Sequence, residues 1–288
     1  MFIISMAAEK GGVGKSTISA MLSQVMGYAN KRVLLLDLDQ QADSSAFMAL
    51  PKEQPKTTIV DLFAGRCSYE NFVKNGAIRK SGNSQVDVIT GSIHLIDLYG
   101  RLSANKTIEE IRKMVAENFR ALLKELTISY DFVFVDFPPG IDTVWEPILQ
   151  LSSQIIVPVT PHLMAMQSAV KSAIILTAHG IKPDKISIVP NQITASNSHK
   201  KDLELIKEKF ENDVFVANAY IPQSSAVERI LEYDQNLFIK WFGNKEVKFV
   251  IEAFCSLAQE MYSVNSNEIL QNISEERKKY LSKYLFSR

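Results

Sequence analysis

Residues 5–22, SMAAEKGGVGKSTISAML, decide how the rest of the chain is read. The phosphate-loop pattern requires Gly, any four residues, then Gly-Lys-[Ser/Thr]. Gly14-Lys15-Ser16 supplies its end, but the position five before Gly14 holds Glu9, and a second lysine, Lys10, follows. FIISMA (2–7) is a short apolar run of strand type, and a helical pattern opens at Lys15 and covers 15–29. A strand, a glycine loop and a helix in that order aim the amides of Gly11, Gly12, Val13 and Gly14, with the positive end of the helix, at a polyphosphate. Lys15 is then placed to reach the β- and γ-phosphates, Ser16 to ligate Mg2+, and Thr17 to donate to a phosphate oxygen. Lys10 cannot curl into the same nest. It is either a solvated loop lysine or a cation that reaches a phosphate from outside.

Working outward, apolar runs alternate with helical periods: RVLLLDLD (32–39), QVDVIT (85–90), DFVFVDF (131–137), QIIVPVT (154–160) and KISIVPN (185–191) as strands, with helices at 106–127, 163–178, 199–210 and 245–262. Several strands are apolar on consecutive residues, as strands covered on both faces are. The expected fold is α/β, a single phosphate-loop NTPase domain with a mostly parallel twisted sheet and helices on both faces, spanning 1–262. Segment 40–58 reads as an exposed loop, and 263–288 as a C-terminal helical appendage.

Asp37 and Asp39 alternate on the second strand and so share a face at its C-terminal edge, where α/β sheets bind ligands. They either hold metal-bound or attacking water or cap the following turn. Asp136 ends the strand 131–137 at the same edge, ahead of Pro138-Pro139-Gly140, and either reaches Mg2+ through water or caps. Asn191, after the strand 185–191, carries an amide able to read a base edge, although an asparagine there also suits a turn.

Lys10 to Ser16 matches without a gap the K-G-G-x-G-K-[S/T] motif of the ParA/MinD family of deviant Walker A ATPases, which this sequence resembles over roughly residues 1–262. The resemblance implies that Lys10 crosses a dimer interface to the partner's nucleotide, so that ATP is sandwiched between two chains. LLLDLDQQADSS resembles the family's DxDPQGN switch, which assigns the hydrolytic water to Asp39 and a supporting carboxylate near Mg2+ to Asp37. Here Gln40 replaces the proline and Ala42-Asp43 replaces Gly-Asn, while Gln41 is kept. DFPP resembles the second switch, with Asp136 as its metal carboxylate. The resemblance also makes Asn191 the adenine reader, with Pro222 of AYIPQSSAVERI on the other side of the base.

Lys+Arg and Asp+Glu both number 32, so a nucleic-acid contact has to come from a local patch. The two cysteines, Cys67 and Cys255, form no CxxC, which argues against a cluster carrier and for a reducing cytoplasm. A small-molecule ligase on a related fold would have no use for Lys10 at an interface. The resemblance implies a homodimer with ATP and Mg2+, non-specific DNA binding and a ParB-like activator, in the cytoplasm at the nucleoid, serving plasmid or chromosome partition. Candidate phosphate contacts are Lys200, Lys201, Lys240, Lys245 and Lys248, each of which also suits plain solvation. With nine residues ahead of Lys10, an N-terminal DNA-reading domain is not expected. The alternative is a MinD-like membrane-surface switch: as a helix, 268–288 aligns Ile269, Ile273, Tyr280, Leu281, Tyr284 and Leu285, flanked by Lys278, Lys279, Lys283 and Arg288, a stripe interrupted at Glu276 and Arg277 that equally suits a C-terminal helix docked on the domain.

Overall fold

Strand residues of alternating direction build two cores on one sheet. In the computed structural model β1 (Phe2–Met6), β2 (Val33–Asp37) and β5 (Phe132–Asp136) lie side by side in parallel. Leu34, Leu36, Val133 and Val135 point to one face, and Val33, Leu35, Ile4 and Phe134 to the other. The complete order is β3-β4-β2-β5-β1-β6-β7-β8, with β3 (Ile78–Lys80), β4 (Val86–Ile89), β6 (Gln154–Val159), β7 (Ile186–Pro190) and β8 (Phe215–Val216). Every pairing is parallel except the one between β3 and β4. The chain is described except at residues 49, 51, 52, 54, 98–105, 195–196, 211–213, 228–238, 240–241 and 287–288; of residues 96–97, 197–200, 202 and 283–286 only the backbone is described.

In chain order the helices are α1 (Lys15–Tyr28), α2 (Asp43–Ala46), α3 (Ile59–Phe63), α4 (Tyr69–Lys74), α5 (Ile108–Leu126), α6 (Glu146–Leu151), α7 (Leu163–Ala178), α8 (Asn197–Phe210), α9 (Lys245–Tyr262) and α10 (Ser266–Phe286). One core packs Ile111, Val115 and Phe119 of α5 and Ala169 and Leu176 of α7 against the sheet. The other packs Ile18, Leu22 and Val25 of α1 with Val250 and Phe254 of α9. The fold is a single α/β domain, and the segments missed in the sequence are short: α2, α3, α4, α6, β3 and β8 fall below the length at which periodicity is readable, and α2, with Ser44, Ser45 and the following Met48 buried, lies where an exposed loop was expected.

Segment 263–288 is helical from Ser266, and Ile269 and Ile273 are fully buried in the core formed with α1 and α9. Asn272 Nδ2 donates to the Tyr28 carbonyl at 2.8 Å, tying α10 to the end of α1. The apolar stripe expected along this segment is therefore turned inward over its first half. Lys278 and Lys279 are exposed, the side chains of Lys283, Tyr284 and Leu285 lie outside the described residues, and so does Arg288. No helix among the described residues is long and apolar enough to cross a membrane.

Candidate nucleotide site

The loop between β1 and α1 lies at the C-terminal edge of the central strands. Gly14 has φ 95° and forms the N-terminal boundary of α1; no side chain caps this end and no acidic residue sits in the first turn. Among the described residues, the main-chain N–H groups of residues 10–17 find no acceptor, whereas the next, Ile18, donates to the Gly14 carbonyl at 2.9 Å. A run of uncapped amides at a helix N-terminus suits a polyphosphate, which is the group the sequence pattern implies. Lys15 is only 6% exposed. Burial lowers its pKa, and the Asp136 and Asp39 carboxylates beside it pull the other way.

Strand register sets the two metal candidates next to each other, Asp37 opposite Asp136. Their oxygens are used differently. Asp37 Oδ1 accepts from Asp39 N at 3.0 Å, while Oδ2 accepts from Ser45 N at 2.9 Å and Ser45 Oγ at 2.6 Å. Burial raises the Asp37 pKa and the Ser45 bonds lower it. Asp136 Oδ1 accepts from Ser19 Oγ at 3.3 Å, and its Oδ2 is buried with no hydrogen-bond partner among the described residues. Burial first, and then the Asp37 charge, push the Asp136 carboxyl up to about 7, with Ser16 opposing. An orphaned carboxylate oxygen beside a second buried carboxylate is unfavourable without a cation. Mg2+ is bound through one or two carboxylates, retained waters and phosphate oxygens, so Asp136 and Ser16 fit it. Asp37, opposite Asp136, uses both of its oxygens to anchor the loop that follows β2.

Asp39, 6% exposed, turns that loop by accepting from Gln41 N at 2.9 Å through Oδ1. Ala42, in the position of the family's glycine, has φ 56°. That left-handed conformation costs a non-glycine residue about 1–2 kcal/mol.

Beside the loop lies a cavity of about 620 Å3 lined by Gly14, Thr17, Phe47, Asn191 and Pro222 among others. Asn191 is 4% exposed and its Nδ2 donates to the Val13 carbonyl at 2.8 Å, so an amide that lines the cavity also braces the phosphate loop. Pro222 is held by a bridge to Ile193 and by Gln223 N donating to the Ile193 carbonyl at 3.0 Å. Phe47, Gln192, Gln223 and Ser224 line the cavity as well and were not singled out in the sequence; Phe47 lies in a stretch whose polarity masked it. Lys10 is exposed on the rim and makes no ion pair or hydrogen bond among the described residues.

A family model described as an AAA domain matches residues 1–189. Relatives include the sporulation initiation inhibitor protein Soj of Bacillus subtilis, 26% identical over 166 residues, which cover 57% of this chain and 60% of Soj. A ParA family protein of Mycoplasma pneumoniae is 26% identical over 247 residues, covering 81% of this chain and 87% of the relative. The chain belongs to the ParA/MinD family of P-loop ATPases. The fold is also that of Cyanothece McdA in an ATP complex, with a TM-score of 0.71 at 16% identity, covering 91% of this chain and 96% of McdA. Solved structures of similar fold hold ATP or Mg-ADP.

Lys201, Lys245 and Lys248 are exposed; Lys248 lies 3.7 Å from Glu252, and Phe249 beside it is 54% exposed. The side chain of Lys200 and all of Lys240 lie outside the described residues.

Proposed function

We propose that the chain is a Mg2+-dependent ATPase that forms an ATP-sandwich dimer, binds DNA without sequence preference while ATP is held, and is released when a ParB-like partner stimulates hydrolysis to ADP and phosphate. The cargo is a plasmid or a chromosome, and the dimer works in the cytoplasm at the nucleoid. The observation that carries this reading is the division of labour between the two lysines. Lys15 is buried beside Asp136 and Asp39, so the chain's own site is already served by a cation. Lys10 stands exposed at the rim of the same loop, where a second chain's phosphates can be met. ATP, Mg2+ and the roles of Ser16, Asp39 and Asp136 follow from the loop, the water-positioning aspartate and the orphaned carboxylate oxygen.

DNA is favoured over a membrane as the surface bound in the ATP state. Ile269 and Ile273, which begin the stripe a membrane would need, are committed to the core. Lys245 and Lys248 instead flank an exposed Phe249 at the start of α9, a pairing of cations with an aromatic that suits phosphate and base contact.

The test is fluorescence anisotropy of a random-sequence duplex titrated with the Asp39→Ala variant, with ATP and with ADP, at two salt concentrations. Binding with ATP alone, weakening as salt rises, supports a nucleotide-gated contact to the DNA backbone. Absence of binding in both states, with ATP-dependent recruitment to anionic vesicles instead, replaces DNA by a membrane surface.

A further inference from the structure

Glu9 stands where the phosphate-loop pattern asks for a glycine, and its side chain is occupied. Oε1 accepts from Ile141 N at 3.0 Å, and Oε2 pairs with Lys171 Nζ at 2.9 Å. Its own N–H donates to Ser172 Oγ at 3.0 Å, and the carbonyl of the preceding Ala8 accepts from Gly140 N at 3.1 Å. One residue is thus held from two directions, by the loop after β5 that carries Pro138-Pro139-Gly140 and by the middle of α7. The next residue in the chain is Lys10.

We propose that Glu9 is a positioning residue for Lys10: it locks the base of that lysine to the Pro-Pro-Gly loop and to α7, so that the state of the loop near the γ-phosphate sets where Lys10 points. The proposal rests on the reading of Lys10 as a dimer cation. Three physical points support it. A lysine side chain has about 2 kcal/mol of rotamer entropy to lose on binding, so a fixed backbone at its base is needed for it to act across an interface. The bond from Ile141 N is to a carboxylate, the stronger class of hydrogen bond, and it follows directly on Gly140, whose φ of 89° is a turn conformation that favours glycine. Lys171 also neutralises Glu9. Without that ion pair the Glu9 carboxylate would be a free anion one residue from Lys10, able to capture it in its own chain and to repel an incoming phosphate. The lowered pKa of Glu9, owed first to the Lys171 hydrogen bond, agrees with a carboxylate that stays charged.

Three variants and a cycle test this. Glu9→Ala removes both side-chain bonds, Glu9→Gln keeps an acceptor for Ile141 N but loses the ion pair, and Lys171→Met leaves the carboxylate unneutralised. Monomer affinity is read with a fluorescent ATP analogue, and dimer formation with ATP by sedimentation velocity. Glu9→Ala is expected to weaken the ATP dimer about tenfold, the size of one hydrogen bond to a charged group, while monomer affinity stays unchanged. Glu9→Gln is expected to recover most of this loss, and Lys171→Met to weaken the dimer as well. Combined with Lys10→Ala, Glu9→Ala should add nothing, because the residue it positions is gone. A Glu9→Ala protein that dimerises like the parent overturns the proposal. So does a Glu9→Ala loss that adds in full to that of Lys10→Ala, or one matched by an equal loss of monomer affinity. Lys10→Ala protein that dimerises normally overturns instead the reading of Lys10 as a dimer cation, and the two failures are thereby told apart.

Discussion

Replacing Gly14 by alanine tests whether the phosphate loop is held by its contact with Asn191. Gly14 has φ 95°, and a Cβ there would lie 2.2 Å from Asn191 Nδ2. The backbone conformation alone costs an alanine about 1–2 kcal/mol. Relieving the contact moves Asn191, whose Nδ2 donates to the Val13 carbonyl at 2.8 Å in a buried setting. Losing that bond with both groups still buried costs about 1–3 kcal/mol more. Gly12 is the control: its φ is 74°, but nothing lies within 4 Å of a Cβ there. At about 2–4 °C per kcal/mol for a chain of this size class, Gly14→Ala should lower the thermal midpoint by about 4–20 °C and Gly12→Ala, which carries the backbone cost alone, by about 2–8 °C. In an Asn191→Ala background the Gly14→Ala penalty should shrink to the backbone cost alone. Differential scanning calorimetry measures the four variants and the parent. Equal losses at Gly12 and Gly14, or a Gly14→Ala penalty unchanged by removing Asn191, would refute the reasoning.

Lys15→Ala should abolish ATP binding in titration calorimetry, whereas Lys10→Ala should bind ATP as a monomer and dimerise only weakly, at raised protein concentration, in sedimentation. Asp37→Ala strands Asp39 N, Ser45 N and Ser45 Oγ, so it should destabilise by about 2–4 kcal/mol and speed amide exchange over residues 39–45. Asp136→Asn removes a buried, partly orphaned carboxylate; its midpoint without Mg2+ should equal or exceed the parent's, while the gain from Mg-ADP seen in the parent should vanish. Ala42→Gly relieves a left-handed alanine worth about 1–2 kcal/mol and gives back about 0.4–1 kcal/mol through the unfolded chain, for a net stabilisation of about 0–1.6 kcal/mol in a denaturant melt.

Long buried strands and helices were legible because burial on both faces writes continuous apolar runs, as in Val33–Asp37 and Phe132–Asp136, where all but one residue is buried. The same legibility extended to the edge at which Asp37, Asp136 and the phosphate loop meet, since strand ends follow from strand positions. What the sequence hid were relations between segments. The antiparallel β3 has three residues, too few for any period to show. Phe47 reached the base cavity from a segment that reads as a polar loop. Glu9 registered only as a missing glycine, because its partners Ile141 and Lys171 are more than a hundred residues away. The sequence placed both Asp37 and Asp136 near the metal, and only the hydrogen bonds separate them: both Asp37 oxygens are occupied, while Asp136 Oδ2 is not.

That separation bears on the substitution of Gln40 for the family's switch proline. A proline would restrict the loop by fixing a backbone angle. Here the restriction comes from bonds: Asp37 takes three donors from Asp39 and Ser45, Asp39 Oδ1 takes Gln41 N, and Ser45 Oγ in turn accepts from Gly91 N at 3.1 Å beyond β4. A loop held by a buried carboxylate opens as a unit, because releasing Asp37 leaves several donors unsatisfied together, whereas a loop held by proline stays stiff even when detached. Ala42, strained at φ 56°, favours opening and so offsets part of that hold. The segment that carries Asp39 is therefore balanced between a buried anchor and local strain.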